Sequence, residues 1–157
     1  MAFRLTSPAF AEGGDIPARH TCDGSDVSPA LTWVDVPEAT RSLALIVDDP
    51  DAARGNFTHW VTYDLSPELR ELGEGAVPVA QGRNSFGRTG YGGPCPPPDD
   101  GAHRYRFRLY ALDLPQVALA HGTREELEAQ MEGHVVATAQ LVGRYRRHPG
   151  SLEQNKA

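Results

Sequence analysis

The sequence predicts a mainly β domain, a β-sandwich or a large mixed sheet, and three observations predict it. The 157 residues include 16 Gly and 13 Pro, too many breaks for a helical bundle but well suited to short strands joined by turns. Several segments alternate apolar and polar residues with the period of two that a half-buried strand requires. No strand, helix, strand rhythm recurs, which disfavours a doubly wound parallel sheet. The length suits a single domain over residues 1–157, with a core large enough to stand without disulfides or a structural metal.

The first forty residues carry Pro8, Pro17, Pro29 and Pro37 at short intervals, with a polar turn at 22–28, and read as short strands joined by loops. Residues 42–47 hold Leu43, Ala44, Leu45, Ile46 and Val47, the run expected of a strand buried on both faces. It stops at Asp48-Asp49-Pro50-Asp51. Residues 57–65 alternate, with Phe57, His59, Val61 and Tyr63 on one side and Thr58, Trp60, Thr62 and Asp64 on the other, which predicts a second central strand. Residues 73–102 mix Gly and Pro into a loop too long for a hairpin, and loops of that length usually have a function.

Residues 103–112 alternate most cleanly: His103, Tyr105, Phe107, Leu109 and Ala111 share the buried side, and Arg104, Arg106, Arg108 and Tyr110 the other. One short helix is expected over 123–133. Thr123 and Glu126 form a T-x-x-E capping box, Leu127 and Met131 fall four apart, and Gly133 can end the helix. Residues 135–146 return to strand character, and the polar last seven residues are expected to fray.

The net charge of -6 and pI near 5.4 recruit neither nucleic acid nor an anionic membrane surface. No apolar run approaches the roughly 20 residues that span a bilayer, and no export leader is evident, so a soluble cytoplasmic protein without stable membrane insertion is expected. Arg104, Arg106 and Arg108 then read as an ion-paired or solvated face. The sequon Asn56-Phe57-Thr58 lies in a predicted central strand and reads as chance. Cys22 and Cys95 can pair, but in a cytoplasmic chain they read as free thiols. With no C-x-x-C or H-x-x-x-H pair, neither structural zinc nor any other cofactor is expected.

Polar candidates gather at the predicted strand ends. Asp49 and Asp51 follow the first central strand, His59 lies near the start of the second, and His103 opens the third. Parity places His59 with Val61 and Tyr63, and His103 with Tyr105 and Phe107, so both imidazoles are expected at the rim of the apolar interior. Imidazole N–H groups can hold phosphate oxygens while Asp49 fixes tautomer and orientation, and backbone N–H groups of Tyr91-Gly92-Gly93-Pro94-Cys95 can add donors. Spacing alone equally allows two hydrogen-bonded strand histidines beside an Asp-Pro turn.

Asp49-Pro50-Asp51, Thr58-His59-Trp60 and Gly93-Pro94-Cys95-Pro96-Pro97 leading to His103-Arg104-Tyr105 resemble, in order and spacing, the signature motifs of phosphatidylethanolamine-binding proteins. His20-Thr21-Cys22-Asp23-Gly24, Ser28-Pro29-Ala30-Leu31-Thr32-Trp33 and Asn84-Ser85-Phe86-Gly87 resemble the bacterial, Raf kinase inhibitor-like branch. The resemblance covers roughly residues 3–146. It implies a large central antiparallel sheet packed on a smaller one. It also implies a pocket with side chains from Asp49, Asp51, His59, His103 and Tyr105, Tyr91 at its edge, backbone contacts from Gly93 and Cys95, and a wall of Pro96 and Pro97. Ala53 departs from the proline many relatives carry there, and Asp99 and Asp100 set two extra carboxylates near the mouth, where they disfavour a dianion.

The leading expectation is a non-catalytic binder of small anionic or phosphorylated groups, such as a phospholipid headgroup, with a protein kinase or protease as target. The alternative is a metal-assisted hydrolase using Asp49, His59, His103 and Cys95 as ligands with water in an open position. Nucleophilic serine chemistry is disfavoured because no G-x-S-x-G elbow occurs. A third reading is a homodimeric interaction module using the proline-rich loop or an exposed Trp60.

Overall fold

The computed structural model describes residues 2–147; the tail expected to fray, 151–157, lies outside them. Among the described residues the strands are β1 (Arg4–Thr6), β2 (Leu31–Val34), β3 (Ser42–Asp49), β4 (Phe57–Leu65), β5 (Glu71–Leu72), β6 (His103–Leu112) and β7 (Val135–Tyr145). The helix α1 (Arg124–Met131) precedes β7, and a short 3-10 turn at Ala18–His20, which the sequence reading did not anticipate, follows β1. A four-stranded sheet of order β4-β3-β6-β7 packs on a three-stranded sheet of order β1-β2-β5, with every pairing antiparallel.

β3 lies inside the larger sheet, and all eight of its residues are buried, as its unbroken apolar run demands. Leu43, Leu45 and Val47 face the smaller sheet and pack in one core with Leu31, Trp33 and Phe107. Ala44 and Ile46 face the opposite way, into a second core closed by Leu127 and Met131 of α1. The capping box forms as expected, with Thr123 and Glu126 satisfying each other's backbone donors, and Gly133 takes φ +80 just past the helix. No helix among the described residues is long and apolar enough to cross a membrane.

The long segment 73–102 is better ordered than its composition suggests. It runs along the outer edge of β4, where Gly82 N–H donates to the Val61 carbonyl, Ser85 N–H to Thr58 and Gly92 N–H to His59. These bonds satisfy an edge that would otherwise present free backbone groups. Trp60 is fully buried and donates to Gln81 Oε1 at 2.8 Å, so it is a core residue and not the exposed contact the sequence suggested. Its placement opposite Val61 and Tyr63 holds, but both faces of β4 are covered.

The expectation of free thiols is also overturned. Cys22 and Cys95 form a disulfide with their Cα atoms 5.4 Å apart. The fold brings the 22–28 turn against 91–95: Cys22 N–H donates to the Pro94 carbonyl, and Tyr91 OH donates to the His20 carbonyl at 2.6 Å. An inference from compartment had no access to that proximity.

Candidate functional site

Because β3, β4 and β6 are antiparallel neighbours, the C-terminal end of β3 and the N-terminal ends of β4 and β6 meet at one end of the sheet. Asp49, His59 and His103 therefore converge. Strict alternation along β4 would nevertheless have sent His59 to the wrong side. Val47 pairs with Trp60 while Asp48 pairs with Thr58, which leaves His59 as the extra residue of a β-bulge. The bulge turns His59 away from Val61 and Tyr63, which lie in the core under α1, and sets its ring 5.2 Å from that of Tyr105. The predicted shared face of His59, Val61 and Tyr63 is thus corrected, whereas the alternation of β6 holds.

A cavity of about 190 Å³ opens at this point. Asp49, His59, His103 and Tyr105, all buried, form its polar part. Phe57, Phe86, Ala52 and Ala53 make one apolar wall, and Cys95, Pro96 and Pro97 make the other. Three expected members lie elsewhere. Asp51 is held outside by Arg104, whose guanidinium keeps its carboxyl down at about 2 through a two-pronged hydrogen bond. Tyr91 packs on Trp60 with its hydroxyl committed to the His20 carbonyl. Gly93 spends its N–H on Asp26 Oδ1 at 2.9 Å and has no donor left for a ligand. Its glycine identity serves packing, since a Cβ there would lie 2.3 Å from the His20 carbonyl oxygen.

The two histidines differ electrically. His103 Nδ1 lies 2.7 Å from Asp49 Oδ2 and its Nε2 lies 2.9 Å from Asp100 Oδ2. Burial by itself would lower its pKa, but the hydrogen bonds to Asp49 and Asp100 outweigh burial and raise it. Both ring nitrogens donate to carboxylates only in the imidazolium form. His59 is pushed down by burial, with partial relief from its 2.7 Å bond to the Gly92 carbonyl. A carbonyl can only accept, which assigns the proton to Nδ1 and leaves Nε2 of the neutral ring as an acceptor.

Between them stands Tyr105, whose ring also stacks on His103 at 6.5 Å. Its hydroxyl is buried and has no hydrogen-bond partner among the described residues. Burial, and next the Asp49 carboxylate, push its pKa up, so it is a neutral donor at physiological pH. Asp49 is fixed from both sides, with Oδ2 on His103 and Oδ1 accepting the Asp51 N–H at 2.8 Å. The arrangement is a rigid polar floor under apolar walls, able to hold the charged end of a small ligand with an apolar neighbour.

Sequence reasoning missed Phe57 and Phe86 as walls and missed the contact of Asp100 with His103. Phe57 shared a predicted side with His59, and that signal was available. Among the described residues no three His, Cys, Asp or Glu side chains converge as a metal site, and the bridge removes Cys95 as a thiolate ligand. The arginine stripe is ion-paired as expected: Arg104 on Asp51, and Arg106 and Arg108 on the fully buried Asp48.

Residues 6–146 match the model of the phosphatidylethanolamine-binding protein family. The chain is 49% identical over 148 residues to a UPF0098 protein of Aquifex aeolicus, covering 90% of this chain and 86% of that protein. A UPF0098 protein of Chlamydia pneumoniae is 47% identical over 90% of this chain and 97% of its own length. The crystal structure of a phosphatidylethanolamine-binding protein homologue from Chlamydia trachomatis superposes with a TM-score of 0.88 at 45% identity, covering 93% of this chain and 98% of that one. Escherichia coli YbcL, described as a member of the mammalian family, superposes at 0.87 with 30% identity over 93% of this chain and 99% of its own.

Proposed function

The chain belongs to the phosphatidylethanolamine-binding protein family, and from that premise we propose that it binds the anionic end of a small phosphorylated ligand without transforming it. One observation carries the reading. The Tyr105 hydroxyl is a buried donor with no protein partner among the described residues, on a floor beside an imidazolium. Leaving a buried donor unmet costs about 1–3 kcal/mol, which a ligand oxygen on Tyr105 recovers. Phe57, Phe86, Pro96 and Pro97 suit a phosphate ester with an apolar substituent, such as a lipid headgroup or a phosphorylated side chain. A kinase or protease partner would act through such a group and is a separate step of the same proposal.

Calorimetry with phosphoethanolamine and inorganic phosphate tests the site. Replacing His59 with Ala and His103 with Asn together should abolish binding, with the fold verified by near-UV circular dichroism. Unchanged affinity in the double variant rejects the assignment.

The cytoplasmic location expected from the sequence competes with an oxidising compartment, where a bridge between Cys22 and Cys95 persists. Acid-quenched thiol alkylation of whole cells decides between them.

A further inference from the structure

We propose that Asp100, which sits beside the cavity rather than in its lining, is an intramolecular competitor for the pocket histidine: its carboxylate occupies the remaining donor nitrogen of His103, so the site admits only ligands that displace it. This rests on the anion-binding reading above. His103 has two N–H donors, and the inner one is spent on Asp49, a contact in which both side chains are nearly inaccessible. Nε2 is the remaining donor, and Asp100 Oδ2 sits on it at 2.9 Å. A carboxylate oxygen and a phosphate oxygen make the same charge-assisted bond to an imidazolium, so the two cannot share that proton.

The two carboxylates around His103 differ in how firmly they are held. Asp49 belongs to β3 and is buried, with an oxygen tied to the Asp51 backbone. The Asp100 side chain is 42% exposed and lies outside any strand or helix. It follows the run Pro96-Pro97-Pro98, with Asp100 N–H closing a turn onto the Pro97 carbonyl at 3.1 Å, and precedes Gly101, which has open space around it. Asp100 can therefore withdraw into water without disturbing the core. While seated, two carboxylates surround one imidazolium, an excess of negative charge that repels an entering anion. Once Asp100 leaves, His103 and Asp49 are balanced and Nε2–H is free.

A carboxylate tethered this closely competes at an effective concentration on the order of millimolar, so weak free anions are excluded and ligands with additional contacts to Tyr105 and the apolar walls are selected. Asp100 is in this sense a specificity-determining residue. It requires no catalytic step.

The test compares wild type, Asp100→Asn and Asp99→Asn by calorimetry with inorganic phosphate, glycerophosphoethanolamine and O-phosphoserine, the latter two separating a lipid headgroup from a phosphorylated side chain. Asp99 is exposed one residue away, so its substitution removes the same charge without vacating Nε2. Asp100→Asn should bind inorganic phosphate about fivefold tighter or more, the scale of one partly exposed ion pair, and Asp99→Asn should stay near wild type. The gain should be largest for inorganic phosphate, which has the fewest other contacts. Equal affinity of all three proteins, equal gains in both variants, or weaker binding in Asp100→Asn overturns the proposal while leaving anion binding intact. Absence of binding in all three proteins, each folded by circular dichroism, overturns the anion-binding reading as well.

Discussion

His59 and His103 border one cavity and burial acts strongly on both, yet it prevails in the first while two carboxylates together outweigh it in the second, and their effects on stability have opposite signs. The His103 pKa is raised, so its contribution is fully present below the unfolded value of about 6.5 and is lost as pH rises through the folded value. The His59 pKa is lowered, so stability is present above about 6.5 and falls as pH drops toward the folded value. Stability from these two residues should peak near pH 6.5, measured as the urea midpoint between pH 5 and 8. His103→Asn should flatten the alkaline arm and His59→Asn the acid arm. Anion binding should weaken as pH rises through the elevated His103 value, because the imidazolium is then lost. Identical pH profiles for wild type and both variants would contradict the assigned charge states. At this scale the sequence made Asp49, His59, His103 and Tyr105 legible through their places at strand ends and their motifs. It did not show that Gly93 and Tyr91 spend their donors inside the protein, because those partners, Asp26 and His20, are distant in the chain.

At the scale of elements, β4 and β6 show how far alternation carries. In β6 it holds throughout, so Tyr105 and Phe107 face the inter-sheet core while Arg106 and Arg108 reach Asp48 on the other side. In β4 the bulge at His59 changes the side on which the chain presents its ring, and a period of two has no means of marking an unpaired residue. Asp48 is the counterpart of the site on the far face of β3: fully buried, it receives Arg106, Arg108 and the Asn56 amide. Removing one partner of a buried ion cluster strands the others, so Asp48→Ala should cost about 3–5 kcal/mol in urea unfolding. A cost within about 0.5 kcal/mol would show that the two arginines are satisfied by water instead. The helix was legible to within two residues because its cap and its Leu127, Met131 pair are local.

For the whole molecule, the consequential long-range tie is the bridge between Cys22 and Cys95, separated by 73 residues. Closing a loop of that size removes conformational entropy from the unfolded chain, and Cys22→Ser with Cys95→Ser should lower stability by about 4 kcal/mol. The same substitution loosens the cavity wall that Cys95 and Pro96 form, so anion affinity should fall with it. Stability unchanged within about 1 kcal/mol, read from urea unfolding of oxidised protein and the double variant, would show that the hydrogen bonds from Cys22 N–H and Tyr91 OH already hold the two segments. The sequence by itself determined the strand-rich class, the doubly buried β3, the capped helix and the family motifs, because each is written in neighbouring residues through period, turn chemistry or local hydrogen bonding. Only the tertiary structure decided that the cysteines pair, that a bulge brings His59 into the cavity that His103 lines, and that Asp100 sits on His103 Nε2. The first two depend on which distant segments meet, and the third, a contact only three residues apart, on how the turn after the proline run sets Asp100 against the first residue of β6; a linear pattern carries none of that geometry.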